Sequence, residues 1–256
     1  MKTIILAGGY GSRLGTVSEL IPQPMVEVGG RPIIWHILKI YAHYGYNEFV
    51  IALGYKANVI KDYFYKLQSY NSDFTVNTAT GEITYHNGNP DEWKVTLVDT
   101  GVDTLKGGRI KRLERYLDDV NMLTYGDGVS DVDIEQLVRF HKNHGKMVTI
   151  TGVKPPSMFG EVIEKKGLVL SFEEKPQTSK GLINGGFMVF NKSMLNFLTK
   201  EKNCDFEFGP LEKLAAQGQV MTYKHKNFWE CADTVRDVNN LNKLWETGEA
   251  KWKLWE

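Results

Sequence analysis

Thr3-Ile4-Ile5-Leu6-Ala7-Gly8-Gly9-Tyr10-Gly11-Ser12-Arg13-Leu14 decides how the chain is read. A short apolar run rich in β-branched residues stops abruptly at glycines. That is the pattern of a buried strand entering a tight loop. Three glycines in four positions free the backbone to turn N–H groups inward, and such a concavity binds phosphate oxygens. Arg13 adds a planar, permanently charged fork suited to phosphate. The loop is not a Walker loop, because Gly11 is followed by Ser12-Arg13 and not by Lys-Ser/Thr. Nor is it a dinucleotide fingerprint, since Leu14 stands where the third glycine belongs. What remains is a phosphate loop at the head of an α/β domain, against the plain alternative of a turn that binds nothing.

Strand and helix patterns alternate outward from this stretch. Thr3–Ala7 reads as a strand, Pro32–Tyr44 as a helix closed by Gly45, Glu48–Leu53 as a second strand, and Asn58–Leu67 as a second helix. This βαβα order predicts a parallel sheet with helices on both faces. Residues 69–91 are polar and turn-rich, and read either as a hairpin around Thr80-Gly81 or as a mobile excursion. Val95–Val98 resumes as a strand, Gly107-Gly108-Arg109 opens a loop, and Ile110–Tyr116 suits a short helix. Asn121–Tyr125 is a strand ending at Gly126-Asp127-Gly128, Ile134–His144 a helix, and Met147–Val153 a strand. Short strands then predict an antiparallel section (Glu161–Glu164, Leu168–Phe172, Gly186–Phe190). Helices are expected near Ser193–Thr199, Gly209–Gln217 and from Asp233 to Glu256.

The 256 residues carry 31 basic and 31 acidic side chains, which argues against a protein that works through a basic nucleic-acid surface. Cys204 and Cys231 make neither a disulfide framework nor a metal spacing, although one bridge between them stays open. No apolar run has the roughly 18 residues of a spanning helix, and no signal-peptide layout precedes the first strand. The expectation is a cytoplasmic protein without membrane contact.

Asp127, between two glycines at the carboxyl end of a central strand, suits a Mg²⁺ ligand, because ligands in such sheets bind there. The bland reading is a turn aspartate bonding its own backbone. Asp131 and Asp133 read as helix caps. In Glu173-Glu174-Lys175-Pro176, Lys175 offers a point charge to phosphate and Glu174 an acceptor for sugar hydroxyls, against a solvated charge run. Asp233 either caps the tail helix or joins Asp127 as a second metal ligand. His141 and His144 lack metal partners at convincing spacing. Trp245, Trp252 and Trp255 pack on the domain or on another subunit, and 69–91 is a second candidate for subunit contact.

The blocks Leu6–Leu14, Pro24-Met25-Val26-Glu27-Val28-Gly29-Gly30-Arg31-Pro32-Ile33, Val95–Gly101, Thr124–Val129, Glu174-Lys175-Pro176, Asn184-Gly185-Gly186-Phe187 and Phe228–Asp237 span nearly the whole chain. Together they resemble the sugar-1-phosphate nucleotidyltransferase family, and its cytidylyl-transferring branch most of all. The resemblance implies a Rossmann-like, doubly wound mixed α/β sheet with a smaller antiparallel sugar-binding section. It implies one nucleotidyltransferase domain over 1–256, with a nucleotide-binding half (1–153) and a sugar-phosphate-binding half with the C-terminal helices (154–256). The implied reaction is attack of a sugar 1-phosphate, glucose 1-phosphate first, on the α-phosphorus of CTP. It gives a CDP-sugar and pyrophosphate, in a homo-oligomer. Leu6, Ala7, Gly8, Gly9, Gly11, Ser12, Arg13, Thr100, Gly107, Arg109, Gly126 and Asp127 would bind the nucleotide. Gly160, Glu174, Lys175, Asn184 and Gly185 would bind the sugar phosphate, and Asp127 and Asp233 would hold Mg²⁺. Arg13, Lys175 and the residue at position 23 would serve catalysis.

Position 23 departs from the family pattern Lys-Pro-Met: it is Gln23. Losing a charged transition-state contact costs roughly 3 kcal/mol, or about 100-fold in rate. Three readings stand side by side: a slower transferase in which Arg13 or Lys175 covers the charge, a nucleotide- or CDP-sugar-binding protein with weak or no turnover, or a substitution made to trap a complex. A dinucleotide-dependent oxidoreductase is the most distant reading, since the third glycine is missing.

Overall fold

The computed structural model describes residues 1–87, 91–154, 161–165, 167–173 and 181–255. Among these, eight strands form the central sheet. They are β1 (Thr3–Ala7), β2 (Glu48–Leu53), β3 (Lys94–Asp99), β4 (Val120–Tyr125), β5 (Val148–Val153), β6 (Ile183–Asn184), β7 (Met188–Asn191) and β8 (Val220–Lys224). The strands link as β6-β5-β7-β4-β1-β2-β3; β7 pairs with Val148 and Thr149 of β5, β6 with Gly152 and Val153, and β8 along Val148 to Gly152. β1, β2, β3 and β4 pair in parallel, and β7 runs antiparallel to both β4 and β5. The class is therefore mixed α/β.

Strands covered on both faces read as unbroken apolar runs. Ile5 and Ala7 of β1 enter one core with Phe49, Ile51 and Leu53 of β2, while Ile4, Leu6, Val50 and Ala52 enter the other. The first core is roofed by α1 (Ile33–His43) and α2 (Ala57–Asn71). The second takes Ile110 of α3 (Lys106–Arg112). The first core also takes Leu137 of α4 (Ile134–His144) and Leu241 of α5 (Val235–Glu246). Each such side chain contributes about 1.5–3 kcal/mol by leaving water. Asp133 caps α4 by accepting from Gln136 N at 2.8 Å, and Gly145 ends the helix at φ 66°. Asp131 does not cap: its carboxylate faces His225 at 2.9 Å.

Several expectations need correction. Gly107-Gly108-Arg109 lies inside α3 and opens no loop. The glycines are there because α3 presses on segment 201–205: a Cβ on Gly107 would come 2.5 Å from Asp205 O, and one on Gly108 2.5 Å from Glu201 O. α3 stops at Arg112, and a separate 3₁₀ turn, Glu114–Tyr116, follows. Lys192–Phe197 is likewise 3₁₀, not α-helical. The strands after 153 do not all form a separate section. Met188, Val189 and Phe190 are buried on both faces, so β7 belongs inside the central sheet. Among the described residues the Glu161–Lys165/Leu168–Glu173 hairpin stands apart from it. The tail helix ends at Glu246; Gly248 turns at φ 75° and brings Trp252 back into the core. Trp255 meets Trp35 edge-on at 5.5 Å, so the tryptophans pack on the chain itself. Of the two readings of 69–91 the hairpin holds, with Phe74–Val76 paired to Ile83–Tyr85. Cys204 and Cys231 are free thiols. Among the described residues no helix is long and apolar enough to cross a membrane.

Candidate active site

The site lies where β1 and β4 end side by side. Leu14 is the anchor of the glycine loop: it is buried, and its N–H bonds Gly11 O at 3.0 Å, closing a 3₁₀ turn over Ser12–Leu14. Gly11 must be glycine on two counts. Its φ is 64°, and a Cβ there would sit 2.9 Å from the Cβ of Gln23. Gly9 borders open space. Gly8 touches the Arg109 guanidinium, which any side chain would strike.

Arg109 is 4% exposed; it lines the cleft but spends its fork on the chain's own oxygens. Nη1 donates to Leu53 O (3.0 Å), Thr100 Oγ1 (2.8 Å) and Gly101 O (2.6 Å); Nη2 donates to Gly8 O (2.8 Å) and Val102 O (2.9 Å). All five acceptors are neutral oxygens. Arg109 thus ties the glycine loop to segment 100–105, which walls the opposite side. Thr100 belongs to this strut and is buried, and Gly107 faces segment 201–205. Tyr10 adds a second tie, its hydroxyl donating to Asp103 Oδ1 at 2.7 Å.

The carboxylate pair comes from parts of the sequence about a hundred positions apart. Beyond β4 the chain turns at Gly126, whose N–H bonds Leu6 O at 3.0 Å. Gly128–Ser130 then pairs antiparallel with Trp229–Cys231, and Ala232 N donates to Asp127 O at 2.8 Å. This small ladder carries Asp233 back to Asp127. Asp233 is spared from capping because Thr234 caps α5, in a reciprocal box with Asp237. Gln23 Nε2 lies between the two acids, 3.1 Å from Asp127 Oδ2 and 3.2 Å from Asp233 Oδ1, and it also meets Ala232 O at 3.0 Å. Arg13 pairs with Asp233 Oδ2.

Burial, then the charge of Asp233, pushes the Asp127 carboxyl up to about 6, against the opposing pull of Arg13 and Lys106. Burial and the two acids likewise push the Cys231 thiol up, and its Sγ lies 3.2 Å from Asp233 Oδ2. A pair of acids this close calls for a cation. Among the described residues no third His, Cys, Asp or Glu completes a protein cage. Two carboxylates with room for phosphate oxygens and water form the donor set that suits a hard divalent ion.

The cleft around these groups has a volume of about 680 Å³. Leu6, Ala7, Ser12 and Gly126 line it beside the loop, and Asn184 lines the far wall. Gly185 is packed behind that wall, its carbonyl accepting from Trp229 Nε1 at 2.8 Å. Gly160, Glu174 and Lys175 lie outside the described residues. Sequence reading missed Lys106, Tyr125 and Trp229, which also line the cleft. Lys106 sits directly before a glycine pair, a weak signal; Trp229 belongs to a three-residue strand with no period of its own.

The arrangement can seat polyphosphate on the glycine loop beside two acids that accept a cation. The sequence profile of the Nucleotidyl transferase family matches residues 2–251. The glucose-1-phosphate cytidylyltransferases of Salmonella typhimurium and Salmonella typhi are each 45% identical, over 100% of this chain and 100% of theirs. The crystal structure of HddC from Yersinia pseudotuberculosis shares the fold at TM-score 0.71 and 23% identity, covering 95% of this chain and 99% of that one. The chain belongs to the nucleotidyl transferase family and, within it, groups with the glucose-1-phosphate cytidylyltransferases.

Proposed function

We propose that this protein transfers a cytidylyl group from CTP to a sugar 1-phosphate, glucose 1-phosphate foremost, and releases pyrophosphate. The observation that carries the reading is the meeting of Asp127 and Asp233 beside the glycine loop, through Gln23. Relatives named for the same reaction match along the whole chain.

In the reaction a phosphate oxygen of the sugar 1-phosphate attacks the α-phosphorus. A new P–O bond forms, and the α–β bridging bond breaks with its electrons leaving on pyrophosphate. Such transfers ask the protein for alignment and charge, with little covalent work. The residues supply both. The glycine loop, held by Arg109, gives a rigid seat for the triphosphate. Arg13 is well exposed and can swing from Asp233 toward the leaving phosphates. Asn184 faces the acceptor. Asp127 and Asp233 would hold Mg²⁺, which when bound supplies positive charge against the phosphates undergoing exchange. Gln23 carries no charge of its own, so it leaves the acids their negative charge for that ion.

The test is pyrophosphate release from four nucleoside triphosphates against a panel of sugar phosphates, with Mg²⁺ and with chelator. Release confined to CTP with a sugar 1-phosphate, and abolished by chelator, is expected. Silence across the whole panel would sink the reading.

A further inference from the structure

Glu207 does not line the cleft, yet three residues that do are set by it. Its backbone is fixed by a turn in which Asp205 Oδ1 accepts from Glu207 N (2.8 Å) and Phe208 N (3.1 Å). From there Glu207 Oε1 accepts from Lys106 Nζ at 2.5 Å and from the Tyr125 hydroxyl at 2.8 Å. Lys106 Nζ in turn lies 5.3 Å from the Tyr125 ring centre. Tyr125 accepts from Asn184 Nδ2 at 3.1 Å, and Asn184 Oδ1 accepts from Gly186 N at 3.1 Å.

The proton count along this chain has one solution. A carboxylate only accepts, so Tyr125 must spend its single proton on Glu207. Its oxygen is then free only to accept, which forces the amide end of Asn184 toward it. Gly186 N–H fixes the same orientation from the other side. The second amide proton of Asn184 is left for an acceptor in the cleft. The phenol stays protonated, since burial and the Glu207 charge push its ionisation upward. Glu207 Oε2 is buried and has no hydrogen-bond partner among the described residues. An orphaned carboxylate oxygen is destabilising.

We infer that Glu207 is a positioning residue for the sugar-phosphate end of the cleft. It fixes the proton direction Asn184→Tyr125→Glu207 and anchors Lys106, so that the wall presents an amide donor and an ammonium to the sugar phosphate. The inference rests on the proposed transferase reading. An amide at position 207 loosens the arrangement: it removes the charge that anchors Lys106, and its N–H can donate to Tyr125 and turn the phenolic proton toward Asn184, against the hold of Gly186 N–H.

Calorimetry on the full chain tests this with Glu207→Gln, Glu207→Ala, Tyr125→Phe and the double variant Glu207→Gln/Tyr125→Phe. Glucose 1-phosphate is titrated into protein saturated with a non-hydrolysable CTP analogue, and the analogue is titrated alone. Glu207→Gln is expected to weaken glucose 1-phosphate at least 10-fold while moving the analogue less than threefold. Tyr125→Phe should show the same split, and the double variant should be no weaker than the weaker single. Equal losses for both ligands, no loss, or additive losses in the double variant overturn the inference. Retained analogue affinity reports folding; if a Glu207 variant fails to fold, Tyr125→Phe carries the test. Binding is read without turnover, so an inactive wild type defeats the transferase reading alone. A wild type that binds no glucose 1-phosphate overturns both.

Discussion

Gln23 donates its side-chain amide to Asp127 Oδ2 at 3.1 Å, and the same nitrogen lies 3.2 Å from Asp233 Oδ1. A neutral donor shared by two acids relieves part of their repulsion without cancelling their charge. Gln23→Leu keeps the volume and removes the donor. Losing a hydrogen bond to charged, buried acceptors costs about 1–3 kcal/mol. We expect the variant to lose that much stability in urea denaturation without divalent ions. Millimolar Mg²⁺ should narrow the gap, because a bound cation neutralises the same acids. A gap that persists unchanged in Mg²⁺ would place the role of Gln23 in packing alone.

Arg109 gives its fork to five neutral oxygens, two of them Gly8 O and Val102 O on opposite walls of the cleft. Arg109→Met takes the donor from Thr100 Oγ1, Gly101 O and Val102 O, while Gly8 O keeps Tyr55 N and Leu53 O keeps Thr100 N; each of the three is worth roughly 1 kcal/mol when left unpaired. Loss of about 3 kcal/mol in chemical denaturation is the expected outcome. Arg109→Lys should recover little, because an ammonium has three donors and no planar fork to span both walls. Recovery by lysine to within 0.5 kcal/mol of wild type, a margin of the order of a neutral surface change, would contradict the strut.

The fold was legible where local signals agree with tertiary context. Residues 3–7, 48–53 and 134–144 carry apolar periods bounded by glycine or a capping acid, and their limits hold in the structure. The Gly107-Gly108 pair misled because glycine signals both turns and close contact, and here the contact with segment 201–205 decides. At the site, the glycine loop and Asp127 announced themselves locally. The partnership of Asp127 with Asp233 was legible only through the family resemblance. The ladder that creates it, Gly128–Ser130 with Trp229–Cys231, is three residues long on each side and too short for any period. Glu207 lay beyond sequence reasoning for the same reason: it acts through Tyr125 across 82 positions.

His141 and His144 are structural, and Thr149 is why. His141 Nε2 faces Asn191 Oδ1 at 3.2 Å, so His141 Nδ1 accepts from the Thr149 hydroxyl at 2.8 Å. Thr149 Oγ1 then accepts from His144 Nε2 at 2.7 Å, and His144 Nδ1 accepts from Lys146 N at 2.9 Å. Asn191 Nδ2 closes the ring on Lys146 O at 3.1 Å. Thr149→Val keeps the shape and deletes the one group that both donates and accepts, leaving two half-satisfied imidazoles. A loss of about 2 kcal/mol is expected, at about 1 kcal/mol for each hydrogen bond removed. Thr149→Ser keeps the hydroxyl and should lose less than half as much. Equal losses for valine and serine in the same melts would refute the ring.

His36 makes stability fall on the acid side, and the sign follows from its surroundings. The ring is fully buried, with Nε2 donating to Val28 O at 2.8 Å and Nδ1 accepting from Trp252 Nε1 at 3.3 Å. Burial lowers its ionisation from 6.5 to about 4. Between those values the unfolded chain binds a proton that the folded chain refuses, so stability rises with pH through this window. The contribution is whole above 6.5 and lost as pH falls toward 4. A shift of this size corresponds to about 3 kcal/mol. Ionisation of His141 and His144 is also lowered, chiefly by burial, so their share must be subtracted. His36→Gln does this: it keeps a donor and an acceptor, does not titrate, and leaves the other histidines in place. The difference in stability between wild type and His36→Gln should shift against wild type by about 3 kcal/mol from pH 7 to pH 4. The tryptophan emission of the protein should redden over the same range in wild type as the tail around Trp252 loosens. Parallel acid limbs for the two proteins would show that His36 is not the group being charged.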